Sequence, residues 1–283
     1  MSTKLSKVLL PVSRQGATDS CRQAAFNLAR DFAARLEVLH LCPAAWQRLP
    51  YASEISPFYS EEVLDICREQ VSAEQLEVKA WFEQALSAQP GAPADFQCIE
   101  GFPATNMAAR ARVADLSIVP SVAVRDDEFW TAVRDAALFQ SGRPVLVVPQ
   151  ETPNRSGETI VVAWKDSVES VRAVTAAEPF LAKAKRIVLL SVAEDDNDDP
   201  SLAGMADYLA LTGLSVETSR IASTSDTVGK ALLLEASKTP GTLLVMGAYG
   251  HWRWREWVFG GVTEEVLRDT VVPVLMAISA SSR

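Results

Sequence analysis

Residues 242–276 read TLLVMGAYGHWRWREWVFGGVTEEVLRDTVVPVLM. An apolar run, Thr242 to Met246, leads into a loop punctuated by Gly247, Gly250, Gly260 and Gly261. Val262 to Asp269 has helical spacing, and Val272 to Met276 is a second apolar run. The order is strand, glycine loop, helix, strand. Glycines at a strand's end allow a tight turn and a close approach of backbone to ligand. The N-terminus of the following helix offers unpaired N–H groups and a partial positive charge. Together these predict an anion cradle at the end of a strand.

Working back from this stretch, the same grammar recurs through residues 157–283. Thr159 to Trp164 is an apolar strand, Val168 to Leu181 a helix and Arg186 to Val192 a second strand. Ser201 to Thr212, Val216 to Ile221 and Val228 to Ser237 read as helix, strand and helix. Strands that are continuously apolar, rather than alternating, suit a parallel sheet covered on both faces.

Residues 1–150 follow the pattern again. Lys7 to Val12, Leu36 to Leu41, Phe96 to Ile99, Leu116 to Val119 and Arg143 to Pro149 read as strands. Ser20 to Ala34, Glu61 to Ser87, Pro103 to Val113 and Phe129 to Phe139 read as helices. Arg143-Pro-Val-Leu-Val147 is echoed by Val272-Pro-Val-Leu-Met276, and Glu151 to Glu158 has a linker's composition. The fold class expected is α/β: two tandem doubly wound, Rossmann-like parallel-sheet domains, 1–150 and 157–283. Pro43 to Ser60, with Trp46, Tyr51, Phe58 and Tyr59, is a long connection that suits a lid or contact surface, or an insertion packed on its own domain.

Bulk properties narrow the function. The chain has 283 residues and a net charge of −9. Basic side chains number 14 in residues 1–150 and 13 in 151–283, against 18 acidic ones in each part. Neither part is basic, so neither nucleic acid nor an anionic membrane is the expected partner. Val8 to Val12 is too short for a signal peptide and no run approaches a membrane span, so the expected compartment is the cytoplasm. Cys21, Cys42, Cys67 and Cys98 match no zinc spacing, and the chain has only two histidines, His40 and His251. The expectation is reduced structural thiols and no metal site. The acidic run Asp195 to Asp199 reads as a solvated turn.

The second half resembles a universal stress protein (UspA-like) domain. That family's nucleotide-binding pattern is Gly, two residues, Gly, nine residues, Gly, then Ser or Thr. Gly247 and Gly250 are two residues apart, and His251 to Phe259 separate Gly250 from Gly260. Gly261 stands where the hydroxyl residue is expected, and Val262-Thr263 follows. In the first half Pro120-Ser121 follows the fourth strand with no such glycines, so it resembles a family member without the phosphate cradle.

The resemblance implies adenine nucleotide, ATP or AMP, with Mg²⁺ accompanying ATP. Phosphate contacts would fall on Gly247, Gly250, Gly260, Gly261, Val262 and Thr263, and first-strand contacts on Ala163, Trp164 and Lys165. The family often carries Asp after the first strand, where this chain has Lys165; an ammonium donates and cannot accept. The role implied is stress response or regulation through nucleotide occupancy rather than turnover, at most with weak ATPase activity. The alternative is a member of the same fold that binds no nucleotide and acts through a surface, the loop of Trp252, Trp254 and Trp257 being one candidate. The two closing strands resemble those through which family domains associate, which implies an intramolecular pseudo-dimer, or a homodimer.

Overall fold

The computed structural model describes residues 4–48, 61–89, 91–121, 128–151, 157–193, 200–222, 227–248 and 261–278. In the first half the strands are β1 (Lys7–Val12), β2 (Arg35–Cys42), β3 (Ala94–Glu100), β4 (Leu116–Pro120) and β5 (Val145–Val148). The helices are α1 (Asp19–Asp31), α2 (Glu61–Ser87), α3 (Pro103–Ala111) and α4 (Glu128–Gln140). The second half has β6 (Thr159–Ala163), β7 (Arg186–Ala193), β8 (Glu217–Ala222), β9 (Thr242–Ala248) and β10 (Val274–Ile278). Its helices are α5 (Val168–Leu181), α6 (Pro200–Leu211), α7 (Val228–Ser237) and α8 (Gly261–Asp269).

Why the strands read as unbroken apolar runs is visible in their packing. In β1, Val8, Leu10 and Val12 enter one core while Leu9 enters the other. Alternate side chains of a strand point to opposite faces, so a sheet covered on both sides needs apolar residues at every position. The first core holds buried residues of α1, α2, α5 and α6, and the second those of α3, α4, α7 and α8. Helix starts are fixed locally. The Thr18, Ser167 and Thr227 side chains accept N–H bonds at the starts of α1, α5 and α7, each such cap contributing about 1 kcal/mol.

Strand order across the sheet is β3-β2-β1-β4-β5-β10-β9-β6-β7-β8. Each half is a parallel five-stranded unit, and the two meet where β5 and β10 pair antiparallel, Val147 opposite Val274 and Leu146 opposite Leu275. One continuous ten-stranded sheet results. The echoed closing strands of the sequence are therefore neighbours. No described helix is long and apolar enough to cross a membrane.

Candidate functional site

The expected cradle sits where the parallel strands β6 and β9 end side by side, Ala163 in register with Met246. Ligands of open α/β sheets bind at this carboxyl edge. α8 begins at Gly261 and carries the chain back to β10. Residues 249–260, including Gly250, Gly260, His251 and the three tryptophans, lie outside the described residues.

The predicted contact residues divide into distinct environments. Among the described residues Gly261 is exposed, and a Cβ added there would meet none of them within 4 Å. Val262 is half-buried and Thr263 is 5% exposed. Thr263, the residue expected to add a hydroxyl, lies in the first turn of α8 on its buried side. Glu264, also in the first turn, opposes part of the positive character of the helix end.

Gly247 has an unforeseen task. A Cβ on it would stand 2.6 Å from the Glu169 carbonyl carbon and 2.7 Å from the Ser170 nitrogen. The glycine lets β9 run against the first turn of α5, a close approach of helix to strand that any side chain would prevent. Its conspicuous place in the motif thus has a packing cause independent of any phosphate.

At the end of β6, Ala163 is half-buried and Lys165 is exposed. Trp164 is 6% exposed and belongs to the first core. Its indole N–H donates to Ser201 Oγ at 3.0 Å and its backbone N–H to Leu190 O at 2.7 Å. The Trp164 side chain thus anchors α6 to the sheet.

Behind α8 lies a lock that sequence reading missed. Glu265 is 8% exposed, and its two carboxylate oxygens each accept the Thr227 hydroxyl at 2.5 Å. Thr227 caps α7, and Gly229 in the first turn of α7 leaves room for the carboxylate: a Cβ there would be 2.2 Å from Glu265 Oε2. A carboxylate at a helix N-terminus is stabilised by the unpaired N–H groups. This holds α7 and α8 together and fixes the direction from which α8 presents its own N-terminus.

In the first half, the expectation of no metal-ligand set is revised. His40 and Cys42 of β2 and Glu74 of α2 are buried together, their donor atoms within 4.8 Å of one another. Burial lowers the His40 pKa below its ordinary value, against the raising effect of Glu74. Burial also pushes the Cys42 thiol up, with Glu74 adding to the shift, and raises Cys98 to about 12. Spacing along the chain could not reveal this group, since its members come from different elements. One signal was present: Glu74 falls on the same α2 stripe as the buried Cys67, Val71, Val78 and Phe82. A carboxylate in a core stripe demands a partner.

A cleft of about 800 Å³ lies between α1 and α5, lined by Phe32, Phe180, Leu146 and Leu243. It opens towards the amino ends of β6, β7 and β9, where Gly157, Lys185 and Leu243 lie, and is separate from the expected cradle.

Residues 157–277 match the profile of the universal stress protein family. This half of the chain is similar to a universal stress protein domain. The profile's span covers β6 to β10, including the whole stretch from which the glycine pattern was read. No curated protein matches the sequence. Among solved structures, a universal stress protein from Archaeoglobus fulgidus DSM 4304 superposes with a TM-score of 0.71 at 18% identity, covering 98% of this chain and 97% of its own. A protein assigned as a universal stress protein, from Pseudomonas aeruginosa UCBPP-PA14, gives 0.57 at 14% identity, covering 98% and 95%. A protein of unknown function from Pseudomonas aeruginosa PAO1 gives 0.55 at 13%, covering 98% and 94%. These likenesses span both halves, so the whole chain shares the fold of tandem universal stress protein domains.

Proposed function

We propose that the universal stress protein domain at 157–277 senses adenine nucleotide, ATP or AMP, in the cytoplasm and acts through occupancy rather than turnover. The observation that carries this reading is the open start of α8. Among the described residues Gly261 stands exposed, with no neighbour near its Cβ position, in a helix that follows the glycine motif in the chain and begins after β9 at the carboxyl edge of the sheet. Main-chain N–H groups of the β9–α8 loop and of α8 would hold phosphate, with Mg²⁺ accompanying ATP. Lys165, exposed after β6, could pair with phosphate as a point charge. The missing hydroxyl at position 261 would cost about 0.5–1.5 kcal/mol, no more than about tenfold in affinity. The first half, without glycines after β4, would serve as the fixed partner of the sensing half.

A second reading, a nucleotide-free interaction protein of this fold, is favoured by Gly247 and Thr263. Both are motif positions occupied with packing, Gly247 against α5 and Thr263 within the buried face of α8. Mass spectrometry of the gently purified protein separates the two readings. Co-purifying adenine nucleotide, lost in Gly261→Asp, supports the sensor; protein free of nucleotide, with tryptophan fluorescence unchanged by millimolar ATP, supports the interaction protein.

A further inference from the structure

The densest chemistry among the described residues lies in the half without the glycine motif. His40 and Cys42, two residues apart on β2, project to the same face. Cys98 on β3 stands beside His40 in register, and α2 brings Glu74 down onto them. His40 and Cys42 are fully buried and Glu74 is 5% exposed. His40 Nε2 lies 3.2 Å from Glu74 Oε1, and Cys42 Sγ lies 3.9 Å from that same oxygen.

Those separations have a chemical meaning. Zinc takes sulfur at about 2.3 Å and nitrogen or oxygen at about 2.0–2.2 Å, so tetrahedral donors around it stand roughly 3–4 Å apart. Imidazole, thiolate and carboxylate are the donor types zinc prefers, and a thiolate selects against Mg²⁺ and Ca²⁺. The surroundings are also those of a metal site. Cys98 Sγ is 3.4 Å from His40 Nδ1, giving the far ring nitrogen a partner that orients the imidazole. The Arg48 guanidinium is 2.5 Å from Glu74 Oε2, holding the carboxylate by the oxygen that faces away from the cluster, and 3.6 Å from Cys42 Sγ.

We propose that His40 Nε2, Cys42 Sγ and Glu74 Oε1 form a zinc site, three protein ligands with the fourth position left to water. On binding, the neutral imidazole carries its proton on Nδ1, donating to Cys98 Sγ, and presents the Nε2 lone pair to the ion. Cys42 gives up its S–H proton to solvent, so one proton is released per ion. The thiolate and carboxylate together neutralise the two positive charges of zinc. Cys98 and Arg48 are positioning residues.

Cobalt(II) titration of the reduced full-length protein tests this. One equivalent should bind with thiolate-to-cobalt charge-transfer absorption, and Zn²⁺ should displace it. Cys42→Ser should abolish that absorption, and His40→Gln should weaken binding at least about tenfold. Cys98→Ser should weaken it about 10–100-fold while keeping the absorption at saturation, since its sulfur orients the imidazole rather than binding the ion. Cys21→Ala should change nothing. Circular dichroism checks the fold of each variant. Should Cys42→Ser fail to fold, the wild-type protein decides alone: in a denaturant concentration at which the buried thiols of the metal-free protein are alkylated, Zn²⁺ must protect Cys42 more than Cys21 in a peptide map. Absent charge transfer in the wild type, full absorption in folded Cys42→Ser, or equal alkylation of Cys42 with and without Zn²⁺ would each overturn the site and leave an Arg48–Glu74–His40 polar network with a structural role only.

Discussion

At the scale of single residues, two glycines of one motif answer to different forces. Gly247 is held by packing: its missing side chain is the room in which Glu169 and Ser170 sit. Gly247→Ala should therefore destabilise the protein by about 1–3 kcal/mol, the usual cost of overpacking, whether or not nucleotide is added. Chemical denaturation of the variant checks this, and an unchanged midpoint would refute it. Gly261 is held by no such constraint, and Gly261→Ser should leave stability within about 0.5 kcal/mol of wild type. If the loop holds phosphate, the restored hydroxyl should also raise nucleotide affinity, by up to about tenfold. A motif residue is thus a poor probe of binding when its substitution breaks the fold, and 261 is the better position to alter.

Between elements, the decisive contacts are side-chain hydrogen bonds that tie one helix to another or to the sheet. The α7–α8 lock rests on the Thr227 hydroxyl and the Glu265 carboxylate. Thr227→Val leaves that carboxylate without its hydroxyl donor and removes the α7 cap, and should cost about 2–4 kcal/mol. Thermal melting of the variant is the check. α1 offers a test with a sign. Burial pushes the Cys21 thiol from its ordinary 9.0 to about 12. Below 9 the thiol is neutral in both states. Between 9 and 12 the unfolded chain loses this proton and the folded chain keeps it, so stability falls as pH rises through that window. The slope from this one group approaches about 1.4 kcal/mol per pH unit. Urea midpoints at about pH 8 and about pH 10 should fall less steeply in Cys21→Ala than in wild type.

The elements themselves were legible from the residues, and the tertiary groupings less so. The bounds of α2, α5 and α7 follow from their spacing, because a helix that covers a sheet must repeat its apolar residues every three to four positions. The strands followed from runs apolar on both faces. The glycine motif of the second half could be read directly, because its residues lie close together in one stretch of the chain. His40, Cys42 and Glu74 announced nothing, because their meeting depends on the β2–β3 register and on where α2 crosses it. The place of the Trp164 ring was hidden for a related reason: sequence puts it at the strand's end, and only the packing of α6 shows the ring turned into the core.

The whole molecule is a sheet that continues through its own middle. β5 and β10 are the two innermost strands, and their antiparallel ladder is what makes ten strands out of five and five. Val147 lies opposite both Val119 and Val274 and is fully buried. Val147→Pro removes a donor from the middle of the sheet, and should cost about 3 kcal/mol or more. It should also separate one cooperative unfolding transition into two in scanning calorimetry; a single transition in the variant would mean that the halves are coupled elsewhere. The two proposals fall on opposite sides of this seam, nucleotide sensing in the half with the glycine motif and the metal site in the half without it. The most direct test of the sensing role is calorimetric titration of ATP and AMP into the wild-type protein and into Gly261→Asp, whose carboxylate would repel phosphate. The account predicts saturable binding of one nucleotide per chain to the wild type and none to the folded variant; absence of binding to the wild type at millimolar nucleotide, or equal binding to both, would contradict it.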